Sequence, residues 1–278
     1  MKSAPFDYVR PGTVAEASAL LAQDGVNAAA IAGGQSLIPM LNLRAAQVDL
    51  LVDLSRLQEL KAVSETPASL QIGALTTHAT IEDGKIPDHF GGLMRRVAST
   101  ISYRAVRNHG TIGGSIALAD PAADWTGCLI ALGTIVRIAG RDGVRQEPVA
   151  DFVQGLYATS LGTGEIVVGF DVPRPAGPLR WGFAKVARKS GAFANSIAFV
   201  IAQATGGPVT AVLAAAGPRP IVLGGTARQL TGGTASEDTL RAAIADDLRA
   251  SCPDADAYEM RLHTSTILRA AKDMRAKP

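Results

Sequence analysis

The chain has 278 residues, 47% hydrophobic and 19% charged, enough apolar material for one large domain or two modest ones. Lys and Arg total 27 against 25 Asp and Glu, without a basic run long enough to follow a phosphate backbone, so nucleic acid is not an expected partner. Only two cysteines, Cys128 and Cys252, and four scattered histidines occur, so no disulfide framework, four-cysteine cluster or intrachain metal site is expected. The longest apolar runs, such as Ser196 to Ala204, are too short to span a membrane, and no signal-peptide core follows Met1-Lys2-Ser3-Ala4-Pro5; the expected compartment is the cytoplasm.

Thr13-Val14-Ala15-Glu16 has capping-box spacing and opens a helix that ends near Gly25. Ala28 to Ala32 reads as a strand delivering Gly33-Gly34 to a short helix with Leu37, Ile38, Met40 and Leu41. Strands are expected over 48–54 and 70–73, a weak helix at 81–83 and a better one over 92–99, whereas 101–108 carries no clear pattern. Pro121 to Leu132 reads as a helix capped by Asp120, with Asp124 in its first turn. A hairpin over 134–149 turns at Gly140-Arg141-Asp142-Gly143, and a strand over 166–172 closes this half.

Three prolines and a glycine within 173–178 predict a linker and divide the chain into 1–175 and 176–278. The second part reads as apolar strands over 181–187, 197–204 and 209–216, then helices over 239–248 and 258–274, an α+β order. Gly91-Gly92, Gly206-Gly207, Gly224-Gly225 and Gly232-Gly233 are expected to be turns.

Two other glycine pairs stand apart, in Ala32-Gly33-Gly34-Gln35-Ser36 and, about eighty residues later, Thr111-Ile112-Gly113-Gly114-Ser115. Adjacent glycines adopt dihedrals closed to other residues and can bare consecutive N–H groups to an anionic oxygen. The hydroxyl and amide side chains set among them add donors, and two such loops suggest a clamped diphosphate. Neither a Gly-x-Gly-x-x-Gly nor a P-loop pattern occurs, which removes the Rossmann and P-loop readings.

Ala-Gly-Gly-Gln-Ser-Leu-Ile-Pro at 32–39, Ile-Gly-Ala-Leu-Thr-Thr-His at 72–78, Arg-Asn-His-Gly-Thr-Ile-Gly-Gly-Ser at 107–115 and Ala-Asp-Pro-Ala-Ala-Asp at 119–124 follow in order. Together they closely resemble the FAD-binding medium subunit of molybdenum hydroxylases, the family of the carbon monoxide dehydrogenase flavoprotein and the xanthine dehydrogenase flavin domain. The resemblance implies a two-part FAD-binding domain of the vanillyl-alcohol oxidase type over 1–175. A C-terminal α+β domain, an antiparallel sheet plus helices, follows over 176–278.

It also implies cofactor contacts at Ala30, Ile31, Ala32, Gly33, Gly34, Gln35, Ser36 and Leu37, and at Thr111, Ile112, Gly113, Gly114 and Ser115. Asp124 would accept from a cofactor hydroxyl, Leu161 would supply a backbone contact, and Lys185 and Phe193 would lie near the ring system. Gln35 stands where relatives often carry histidine, so a covalent histidyl link through this loop is excluded and non-covalent FAD is expected. Ala192-Phe193 departs from the family's aspartate and aromatic pair, and Ala117-Leu118-Ala119 lacks its histidine or asparagine.

The implied partners are a large molybdopterin-containing subunit that oxidises substrate and a small subunit with two 2Fe–2S clusters, with an external electron acceptor. No catalytic residue is expected on this chain, and His78 and His109 read as hydrogen-bonding or surface histidines. Two other readings compete: a self-contained flavin reductase or oxidase using Ser115 or Glu165 as proton donor, and a scaffold that has lost its cofactor. The substrate, whether carbon monoxide, an aldehyde or an N-heterocycle, and the acceptor, whether NAD, a quinone or dioxygen, are not written in this chain.

Overall fold

The computed structural model describes residues 2–233 and 235–277. At the N-terminus β1 (Asp7–Val9), β2 (Ala28–Ile31) and β3 (Leu50–Asp53) form a parallel sheet in the order β1-β3-β2. Parallel neighbours need a crossover, and the helix Val14–Leu21, capped by Thr13, supplies the one between β1 and β2. It buries Ala17 in one cluster with Leu50 and Val52. Because the pairing is parallel, all three strands end on one edge, with Val9 beside Val52 and Ile31 beside Asp53.

The second sheet is antiparallel. It holds β4 (Val63–Glu65), β5 (Ser69–Gly73), β6 (Ile135–Gly140), β7 (Gly143–Pro148) and, after the small hairpin of β8 (Val153–Gly155) and β9 (Ala158–Thr159), β10 (Ile166–Pro173). The order β4-β5-β10-β6-β7 puts β10 at the centre, where Phe170 and Val172 are fully buried. Helices Leu93–Ser99, Ile112–Leu118 and Asp124–Ala131 join its core through Leu93, Ile116 and Trp125.

Residues 174–178 lead to a third sheet, the antiparallel meander of β11 (Leu179–Ala187), β12 (Ala194–Gln203), β13 (Thr210–Ala214) and β14 (Ile221–Val222). In β12, Ile197, Phe199 and Ile201 join the core of the second sheet, and Ala198, Val200 and Ala202 face the helices Glu237–Ser251 and Ala257–Ala276. A strand buried on both faces reads as an unbroken apolar run. Each large side chain so buried contributes roughly 1.5–3 kcal/mol. The strands-then-helices order of the C-terminal part is the α+β arrangement expected from sequence. No helix of the described residues is long and apolar enough to cross a membrane.

Two local expectations are corrected. The helix expected from Pro121 begins at Asp124 with Ala123 as its cap, while Asp120 accepts from the Ala122 amide at 2.9 Å and holds the preceding turn. Gly224-Gly225 is not a turn but the start of the helix Gly224–Leu230. The Asp247 carboxylate takes the Gly225 and Thr226 amides at 3.0 and 2.7 Å, so a distant side chain supplies the cap that the local sequence lacks.

Candidate functional site

Ligands of open parallel sheets gather beyond the carboxyl ends of the strands. On that edge of the N-terminal sheet lies a cavity of about 420 Å³. Ile31, Ala32, Gly33, Gly34 and Gln35 line it, with Ile38 and Pro39 of the helix Leu37–Asn42 and with Tyr8, Asp53 and Ser55. Gly33 has no room for a side chain, since a Cβ would come within 2.0 Å of the His109 carbonyl oxygen, and Gly34 turns the chain at a φ of +70°. The N–H groups of Gly33, Gly34, Gln35, Ser36 and Leu37 donate to no acceptor among the described residues. The exposed Gln35 folds its Nε2 back onto the Gly33 carbonyl at 2.9 Å, and Ala30 is exposed at the end of β2.

The second glycine pair differs from the bared loop expected of it, because Gly113 and Gly114 lie inside the helix Ile112–Leu118. Ile112 N–H donates to Thr76 O at 3.0 Å, Gly113 to Ala74 O at 2.9 Å, Gly114 to the capping Thr111 Oγ1 at 3.0 Å and Ser115 to Thr111 O at 3.1 Å. All four amides are engaged, and the glycine at 113 serves close packing, since a Cβ there would lie 2.5 Å from Ala74 Cβ. The 72–78 motif is thus the backbone partner of this segment, with His78 N–H also donating to Gly110 O at 2.9 Å. The two glycine segments do meet: Gly33 abuts His109 and Gly110, and a Cβ on Gly114 would stand 3.5 Å from Ala32 Cβ.

Beneath them His78 is buried and accepts at Nδ1 from Trp125 Nε1 at 3.0 Å, which fixes its proton on Nε2. Burial, aided by the Arg107 charge, lowers its pKa from 6.5 to about 4, so it is neutral at pH 7. His109 is exposed and contributes its carbonyl to the packing on Gly33.

A second polar centre ties Lys185 of β11 to the helix Asp124–Ala131 and to Thr100. Asp124, the first residue of its helix, receives Lys185 Nζ at 2.8 Å and Thr100 Oγ1 at 3.1 Å, and Lys185 also donates to Thr100 O at 3.2 Å. The Lys185 and Asp124 side chains are 9% and 5% exposed, and burial raises the Asp124 pKa against the pull of Lys185. Each carboxylate oxygen has one protein donor, Thr100 on Oδ1 and Lys185 on Oδ2, and a carboxylate oxygen can accept a second.

The segment they grip is further locked by Arg107, which donates to Ile101 O and Ser102 O at 2.9 Å each and forks onto Glu82. The turn after β11 rests on it, since a Cβ on Gly191 would lie 2.7 Å from Ser102 O. Phe193 at the end of that turn is 62% exposed. Leu161 is half-buried, its amide donating to Thr159 Oγ1 at 3.3 Å just after β9, which packs on the helix 112–118.

Tyr8, Asp53 and Ser55 were missed in the sequence. Tyr8 Oη donates to Asp53, Arg10 Nε pairs with Asp53 Oδ2 at 3.1 Å, and Arg10 Nη2 donates to Ser55 Oγ at 3.0 Å. Burial acts to raise the Asp53 pKa, but the hydrogen bonds from Tyr8 and Ser55 outweigh it and leave the carboxyl below its ordinary value. The available signal was the position of these residues at the carboxyl ends of β1 and β3.

The donor set fits an anionic dinucleotide: consecutive unpartnered amides edge a cavity whose one lining carboxylate is already paired with arginine. Comparison with known proteins agrees. The family described as FAD binding domain in molybdopterin dehydrogenase matches residues 4–175. The carbon monoxide dehydrogenase medium chain of Hydrogenophaga pseudoflava is 36% identical over 205 residues, 74% of this chain and 71% of that one. A solved structure of carbon monoxide dehydrogenase from that organism superposes with a TM-score of 0.92 at 32% identity, covering 99% of each chain. Quinoline 2-oxidoreductase from Pseudomonas putida 86 gives 0.88 at 32% identity, again over 99% of each. This chain belongs to the FAD-binding medium subunits of molybdenum hydroxylases.

Proposed function

We propose that this chain is the electron-transfer part of its complex: a large molybdopterin-containing subunit oxidises substrate, a small subunit relays electrons through two 2Fe–2S clusters, and an external acceptor is served here. Bound FAD supplies the exchange between one-electron carriers and a two-electron acceptor. The chain's own residues bind and orient. Relatives named for carbon monoxide and for quinoline share its fold, which supports assigning substrate choice to another subunit.

The observation that carries the reading is the run of free amides from Gly33 to Leu37 at the strand edge, packed against His109-Gly110. In this reading those amides receive the diphosphate, with the hydroxyls of Ser36, Thr111 and Ser115 beside them. Lys185 is the cation near the ring system, Asp124 acts through the lysine it holds, Phe193 offers an exposed aromatic face, and Leu161 contributes backbone. Residues 1–175 form the cofactor unit and 176–278 cover it. Gln35 offers no nucleophilic imidazole, so the cofactor is held non-covalently.

A self-contained reductase would need Ser115 or Glu165 as proton donor, and the setting of Glu165 does not favour that role. Glu165 is forked by Arg145 at 2.7 Å to each oxygen, and this pairing keeps its carboxyl below the ordinary range, the wrong direction for a general acid at pH 7. The purified chain is expected to be yellow, to bind about one FAD, to release all of it on acid precipitation and to oxidise no substrate alone. A chain that takes up no FAD under native conditions contradicts the proposal, as does flavin left bound after precipitation.

A further inference from the structure

A second cavity, of about 330 Å³, lies at the opposite end of the chain, where β11 begins and the last helix ends. Arg180 enters it from β11, where it pairs with Ala202, and Arg275 from the last turn of the helix Ala257–Ala276. Gly206-Gly207 and Gly232-Gly233, all four at positive φ, form bare walls without side chains. No carboxylate lines it among the described residues.

Among the described residues, neither cation meets a counter-charge there. Arg180 Nε is buried and donates to nothing among the described residues, and Arg275 makes one long bond, 3.3 Å, to Ala235 O. The acid nearest along the last helix, Asp273, is already taken by Lys277 at 3.1 Å and the Phe183 amide at 3.2 Å. The N–H groups of Gly207 and Gly232 are likewise unengaged among the described residues. Two arginines lining one cavity, with no carboxylate lining it among the described residues, make a positive potential that an anion relieves, and guanidinium forks match the spacing of phosphate oxygens.

We propose that this cavity is an oxyanion site in which Arg180 and Arg275 hold a small phosphate-bearing molecule, with the glycine turns letting its oxygens approach the backbone. The site is separate from the loop that edges β2 and does not depend on how FAD is bound. A carboxylate from another protein would present similar chemistry, so the probe is inorganic pyrophosphate added to the isolated full-length chain.

Thermal unfolding is followed with FAD saturating and pyrophosphate titrated against potassium chloride of equal ionic strength. The wild type is expected to gain a saturable rise in Tm. Arg180→Gln and Arg275→Gln should each weaken the midpoint about tenfold or more while leaving Tm in chloride nearly unchanged. Arg275 is exposed, so its variant keeps the test sound if loss of Arg180 perturbs folding. A rise of equal size and midpoint in both variants overturns the proposal, and so does the absence of any saturable rise in the wild type.

Discussion

At Gly33-Gly34 the chain leaves a parallel strand with five consecutive N–H groups that meet no acceptor among the described residues, whereas at Gly113-Gly114 it enters a helix whose N–H groups already donate to Ala74, Thr76 and Thr111. The dipeptides are the same, and in each the first glycine is required because another backbone passes too close for a Cβ. The difference lies in what that neighbouring backbone offers. Residues 74–76 present carbonyls that accept the second segment's amides, while His109 faces Gly33 with a carbonyl that no amide of the first segment reaches. A glycine pair therefore marks close approach of main chains, and the availability of its amides is decided by a partner remote in sequence.

The strongest way to break this comparison is to disturb a group on the inward-turned side. Lys185→Met leaves the Asp124 carboxylate buried without its cation, a loss expected to cost about 3–5 kcal/mol, and Asp124→Asn combined with it should recover part of that. Chemical denaturation measures both, and a single variant as stable as wild type would mean that the pair is not structural. Gly113→Ala forces a Cβ against Ala74 and should cost on the order of 3 kcal/mol or more. In a chain of this size that is a fall in Tm of roughly 6–12 °C. An unchanged Tm would remove the packing argument for this glycine.

The buried histidine under the junction gives a pH test. His78 has a folded pKa of about 4 against 6.5 unfolded, so unfolding takes up a proton between these values, and stability falls as pH drops through that window. The full loss is roughly 3 kcal/mol, and His78→Gln should flatten that part of the stability profile. The smallest effect is expected at Thr111→Val, which removes a helix cap at about 1 kcal/mol. The hydroxyl set beside the diphosphate goes with it, so FAD affinity should fall modestly, by about tenfold or less, and an unchanged affinity would confine Thr111 to capping.

Much of this was readable along the chain because its causes are local. Thr13 caps the helix it precedes, the alternation of 135–148 gives the hairpin, and Ala28 to Ser36 gives strand, turn and loop. What was not readable depends on contacts across the fold. The Gly224–Leu230 helix needs Asp247, and the central place of β10 follows from pairing with β5 and β6, not from its own residues. Tyr8, Arg10, Asp53 and Ser55 converge from segments 45 residues apart, so no window of sequence contains the cluster. The four motifs gave the family, but not which glycine pair keeps its amides free.

Amide hydrogen exchange read by mass spectrometry, with and without FAD, tests that distinction most directly. In the FAD-free chain, residues 33–37 should exchange fast and 112–115 slowly, and FAD should protect 33–37 strongly while changing 112–115 little. Equal exchange in the two segments without FAD, or FAD binding that leaves 33–37 unprotected, would contradict the account.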